Sequence, residues 1–188
     1  MASIRECIDE SSRIVSGLIR EEEEISAIAR AITESLKRGG KLIVFGNGGS
    51  AAQAQHLVAE LVVRFKTDRA PFPALALTTD TSILTAAAND YGFPYTFSRQ
   101  LEALAASDDI VLALSTSGNS PNVLRAVEKA KELKLKTIAL LGKGGGKLKG
   151  EADIELIVDS QATDRIQEAH LLLLHIIAET IESVFLQE

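Results

Sequence analysis

The sequence predicts an α/β fold: a three-layer α-β-α sandwich around a parallel sheet, with two helices ahead of it. Three observations carry this. Five short apolar runs, 42–45, 74–77, 110–114, 137–141 and 154–158, alternate with stretches of helical periodicity. Each run is too short for a helix and is bounded by turn residues. The runs are apolar throughout, as strands buried on both faces are, and helical crossovers between them imply parallel pairing.

The elements follow in order. Ile4, Cys7, Ile8, Val15, Leu18 and Ile19 keep helical spacing, and so do Ile25, Ile28, Ala29, Ile32 and Leu36. Glutamates 21–24 lie at the junction of these two helices, where a helix start favours negative charge. Gly39 and Gly40 end the second helix. The strand and helix alternation then runs to a final helix over 165–186. Its Leu171, Leu172, Leu173, Leu174, Ile176 and Ile177 make it apolar nearly all round, so it should be buried on more than one side, with a subunit partner. The 188 residues fit one domain, 1–188, in which 1–38 are a helical extension and 39–188 the α/β core with the last helix.

Composition narrows the function. The net charge of -6 disfavours a general nucleic-acid binder. No Trp, 2 Tyr and 6 Phe supply few stacking platforms for single strands. The N-terminus lacks an apolar signal core, and no uninterrupted apolar run approaches the ~20 residues of a membrane span. Cys7 is the single cysteine, which rules out an internal disulfide and fits a reducing, cytoplasmic setting.

Ligands of an open parallel sheet bind beyond the carboxyl ends of its strands. Two loops stand there: Gly46-Asn47-Gly48-Gly49-Ser50 and Ser115-Thr116-Ser117-Gly118-Asn119-Ser120. Each leads into a helix N-terminus, where free amides and the helix dipole favour an anion. Ser120 suits the N-cap and Pro121 the first helical position. The first loop is either a tight turn with a capped helix or a ligand cradle. It also matches G-x-G-x-x-A, but Asp80 lies later than the acid of a dinucleotide site and there is no Walker lysine. Four hydroxyls in six residues make the second loop the better phosphate cradle.

His56 and Glu60 are four residues apart on the helix after the first loop and share a face, which Arg64 extends. The stripe is either a surface Glu–Arg pair beside an ordinary histidine, or a His/carboxylate pair that holds a divalent metal or a proton. His175 lies among apolar residues. It reads as a satisfied core histidine or as an acid/base, since a buried imidazole titrates where proton transfer is useful.

Taken together, the stretches GNGGSAAQAQHLVAEL, AAAND, LSTSGNSPNVL and ATDRIQEAHLLLLHIIAETIE resemble the sugar isomerase (SIS) domain family, and within it the bacterial phosphoheptose isomerases. The resemblance implies a five-stranded, flavodoxin-like parallel sheet and a homotetramer with active sites at subunit interfaces. It implies an aldose–ketose isomerase converting sedoheptulose 7-phosphate to D-glycero-D-manno-heptose 7-phosphate through an enediol, at the head of ADP-heptose synthesis for lipopolysaccharide. Substrate contacts carried over from the family fall on Asn47, Gly48, Gly49, Glu60, Asn89, Asp90, Ser115, Thr116, Ser117, Ser120 and Gln167. The implied acid/base pair is Glu60 and His175. The implied zinc ligands are His56, Glu60, Gln167 and His175. Gln167 and His175 are eight residues apart, about 12 Å of rise on one helix. One metal could touch both only if the helix were distorted or if two subunits supplied them. The alternative reading is a non-catalytic SIS protein that binds the replication initiator DnaA. That relative departs from the isomerase pattern at the positions of Glu60, Ser117 and His175, all of which this chain keeps.

Overall fold

The computed structural model describes residues 3–187. Helix α1 (Ile4–Gly17) passes through a 3-10 turn (Leu18–Glu21) into α2 (Glu22–Lys37), so the two N-terminal helices form one nearly continuous rod. Ser3 caps its start in a reciprocal box with Glu6. Then follow β1 (Leu42–Gly46), α3 (Gly49–Val62), β2 (Ala74–Ala76), α4 (Thr81–Asp90), α5 (Ser98–Leu104), β3 (Ile110–Ser115), α6 (Pro121–Glu132), β4 (Lys136–Leu141), β5 (Ile154–Ile157) and α7 (Thr163–Leu186).

All strand pairs are parallel, in the order β2-β1-β3-β4-β5. The pleat divides each strand between two cores. Leu42, Val44, Ile110, Leu112, Ile138 and Leu140 face α2, α3 and α7; Ile43, Phe45, Val111, Ala113 and Ala139 face α5 and α6. Helix α7 is long and apolar enough to cross a membrane by composition, but here it packs on α1, α2 and α3 and closes the first core.

The strand order reverses direction between β1 and β3. The chain leaves β1 towards β2 on one side and returns to β3 on the other, so α3 and α6 depart over opposite faces. A crevice opens at such a switch point. Gly46, which ends β1, pairs with Leu114, so the two hydroxyl- and glycine-bearing loops emerge side by side there.

Candidate active site

The first loop turns at Gly48, whose φ of 56° and ψ of -121° only glycine adopts without strain. Ser50 N–H donates to Asn47 O and Ala51 N–H to Gly48 O, which starts α3 directly after the turn. Gly48 and Gly49 are exposed and Asn47 is half-buried. A side chain on Gly49 would meet the Gln167 amide within 2.6 Å, so Gln167, from α7, lies against this loop. Gln53 Nε2 donates to Gln167 O at 2.6 Å and ties the two helices there.

In the second loop the hydroxyls divide their work. Ser115 is buried, and its Oγ accepts from Gly118 N–H at 3.1 Å. Ser117 Oγ accepts from Asn119 N–H at 3.2 Å. Ser120 stands at the N-cap of α6 as its sequence position suggests, yet its side chain makes no cap hydrogen bond. Thr116 and Ser120 are half-exposed. The loop leans on the glycine turn after β4: Leu148 N–H donates to Gly118 O and Lys147 N–H to Asn119 Oδ1.

Asn122 joins the loops and went unnoticed in the sequence. It is fully buried, and its amide and that of Asn47 donate to each other, each at 2.8 Å. Its position directly after Ser120-Pro121 was the available signal: a polar side chain in the first turn of a helix that opens a ligand loop.

Beyond the loops, α3 and α7 bring His56, Glu60 and His175 together. Their ligand atoms lie within 4.8 Å of one another. His56 Nε2 stands 2.7 Å from His175 Nε2 and 3.5 Å from Glu60 Oε1. As a hydrogen bond between the rings, this contact needs one Nε2 to donate and the other to accept. Phe65, just past α3, stacks on His175 with ring centres 5.7 Å apart. Two imidazoles and a carboxylate with an open side are the donor set of a catalytic zinc site, and the group fits such an ion. Tetrahedral zinc holds two nitrogens roughly 3.3 Å apart, so the rings would part by a few tenths of an ångström.

The helix α7 is unbroken from Thr163 to Leu186. It accordingly separates Gln167 from His175: the first reaches the loop at Gly49 and the second reaches His56. Asn89 and Asp90 lie at the exposed C-terminal end of α4, where Asn89 Nδ2 donates to Asp90 Oδ1 at 2.7 Å. No described contact joins them to either loop. Asp164, at the start of α7, is paired with Arg165.

Among known proteins, the SIS domain family model matches residues 7–142. The phosphoheptose isomerase of Citrifermentans bemidjiense is 56% identical over 84% of this chain and 82% of that protein. That of Aquifex aeolicus is 52% identical over 86% and 85%. Of solved structures, the phosphoheptose isomerase of Neisseria gonorrhoeae superposes with a TM-score of 0.89 at 42% identity, covering 94% of this chain and 95% of that one. The Francisella tularensis phosphoheptose isomerase gives 0.89 at 39%, covering 97% and 100%. Agreement at this level, over nearly the whole length of both partners, places the chain in the SIS domain family, among the phosphoheptose isomerases.

Proposed function

We propose that the chain interconverts sedoheptulose 7-phosphate and D-glycero-D-manno-heptose 7-phosphate. The observation that carries the reading is the meeting of Glu60, His56 and His175 on α3 and α7, the two helices whose N-terminal turns border the glycine loop. Moving the carbonyl from C2 to C1 removes a proton from C1, passes through an enediol, and delivers a proton to C2. It also moves a proton from the C1 oxygen to the C2 oxygen. In this reading Glu60 takes the C1 proton and returns it to C2, and His175 carries the proton between the oxygens. His56 and Phe65 fix the plane of the His175 ring. The loop of residues 115–120 grips the phosphate, and that remote grip holds the reacting end in place. Gln167 and the glycine loop hold the sugar hydroxyls.

His56, Glu60 and His175 are the residues that would hold zinc, and the ion when bound would supply Lewis-acid polarisation of the carbonyl. A carboxylate has two oxygens, so ligation through one would leave the other for the proton; a His175 that ligated through Nε2 could carry a proton only at Nδ1, so its shuttling role belongs to the metal-free ring.

The assembly we propose is a homotetramer, in the cytoplasm. Its support is an uncovered apolar groove lined by Val15, Leu18, Ile19, Ile25, Leu172 and Ile176, continuous with exposed Ile4 and Ile8. The DnaA-binding alternative has no use for a carboxylate and two imidazoles aimed at one point, and the relatives above are named as isomerases.

Purified protein with sedoheptulose 7-phosphate in deuterated water tests the reading. Aldose should form, with protium at C2 where Glu60 returns the proton directly and deuterium there to the extent that its carboxyl exchanges with solvent before the return. No aldose, with or without added zinc, would overturn it.

A further inference from the structure

Helix ends leave their last carbonyls without intrahelical donors. At the end of α3 two of these belong to Glu60 and Leu61; Leu61 O accepts from Phe72 N–H at 3.0 Å, and a single side chain reaches both carbonyls. Arg69 Nη2 donates to Glu60 O at 2.8 Å and Nη1 to Leu61 O at 2.8 Å. Its guanidinium lies over the Phe72 ring, 3.9 Å from the centre. Arg69 Nε forms an ion pair with Glu182 Oε1 at 3.2 Å. Glu182, 3% exposed, accepts from the amides of Phe65 (3.3 Å), Lys66 (3.0 Å) and Thr67 (3.1 Å). Burial pushes its carboxyl up, but the three amides and the Arg69 charge outweigh that and hold it below the ordinary glutamate value.

Glu182 lies seven residues past His175, two turns along the same side of α7. The chain Glu60–Arg69–Glu182–Phe65–His175 therefore closes on itself: it starts at the turn that carries Glu60 and ends on the ring stacked against His175. Apolar side chains of like volume could bury this surface with no loss of stability, since a buried ion pair is costly to desolvate. They could not set α3 carbonyls and turn amides in one geometry.

We infer that Arg69 and Glu182 are positioning residues of the site, holding Glu60 and His175 in register. The inference rests on the isomerase reading for its kinetic arm only.

The test compares Glu182→Gln and Arg69→Lys with Asp109→Asn in the full chain. Asp109 is a buried carboxylate of the same kind, bonded to the amides of Lys41 and Ala106 just ahead of β3, and no described bond links it to Arg69, Glu182 or the histidines. The chain has 3 histidines, so its imidazole NMR spectrum is assignable ring by ring. In Glu182→Gln the signals of His56 and His175 should move while that of His170 stays. Turnover should fall about tenfold or more, the usual scale for losing an outer partner, with KM changed by less than about threefold. Asp109→Asn should lower the melting temperature and leave both readouts alone. If Arg69→Lys does not fold, the isosteric Glu182→Gln decides. Unmoved His56 and His175 signals in folded Glu182→Gln would overturn the inference. So would wild-type turnover, a KM rise matching the fall in kcat, or equal ring shifts in Asp109→Asn. If the wild-type protein does not turn over sedoheptulose 7-phosphate, the functional reading falls and the histidine spectrum still decides the positioning.

Discussion

Two side chains show how much one residue can decide. Glu60 is half-buried, with an oxygen 3.5 Å from the His56 ring. Glu60→Gln keeps its size and removes its basicity, so turnover should fall by about 10² or more while circular dichroism stays native. Wild-type-like turnover in that variant would remove Glu60 from the chemistry. His170, on α7, does the opposite kind of work. It is fully buried and its Nε2 pairs with Leu141 O at 3.1 Å. Burial lowers its pKa from 6.5 to about 4, against a smaller opposing effect of that hydrogen bond. Between these values the unfolded chain binds a proton that the folded one refuses. Stability is thus complete above about pH 6.5 and declines as pH falls towards 4. By pH 5 the loss due to this ring should reach about 2 kcal/mol. Melts of wild type and His170→Gln at pH 7.5 and 5 should differ by that margin, since glutamine can make the same bond and does not titrate. Parallel pH dependence in the two would assign the acid sensitivity to other groups. The resemblance singled out His175 and not His170, but the residues alone left His175 open between core and acid/base, since both sit beside leucines on one helix; the fold shows that His175 faces His56 and His170 the end of β4.

At the scale of elements, most of the architecture was legible. The five apolar runs are the five strands to within a residue or two, because a strand buried on both faces leaves a contiguous apolar signature. The junction of the two N-terminal helices was legible from the glutamates at 21–24 but not as a continuous 3-10 link, since both geometries tolerate the same residues. The loops were legible as cradles, but their internal bonds were not. Hydroxyl content does not say which hydroxyls fold the loop and which stay free. In the structure Ser115 and Ser117 each accept a backbone amide, whereas Ser120 makes no cap bond. Ser120→Ala should accordingly leave the melting temperature nearly unchanged and weaken binding of sedoheptulose 7-phosphate, with little effect on unphosphorylated sedoheptulose. Calorimetry of both sugars checks this, and equal losses would move the phosphate away from α6. The clamp formed by Arg69 and Glu182 was invisible for a different reason: its ion pair joins residues 113 positions apart, and its other bonds end on backbone atoms, which carry no sequence signal.

The whole molecule raises the question of which residues of the site share a chain. Glu60 and His175 meet within one chain. Mixed tetramers of inactive Glu60→Gln and inactive His175→Gln subunits should therefore remain inactive. Asn89 and Asp90 make no described contact with the loops of their own chain, so if sites lie at interfaces they serve a neighbour. Mixing Asp90→Asn with His175→Gln subunits should restore part of the activity, because some sites then receive an intact His175 and an intact Asp90. Recovery in the first mixture, or none in the second, would redraw the division of the site between subunits.

The reciprocal amide pair of Asn47 and Asn122 has a metric consequence. Two loops that begin on adjacent strands and are pinned together by two bonds of 2.8 Å form one rigid caliper. In the proposed reading one jaw takes the phosphate and the other the sugar hydroxyls. Such a caliper would measure chain length: a sugar phosphate one carbon shorter would seat its phosphate or its hydroxyls in register, but not both. Asn122→Leu keeps the branching and the number of side-chain atoms and cuts the pin, so it should lower the ratio of kcat/KM for heptulose phosphate over hexulose phosphate. An unchanged ratio would show that length is gauged elsewhere. On this view substrate choice depends on a side chain that reaches no substrate, and the buried amide sets the span between the jaws.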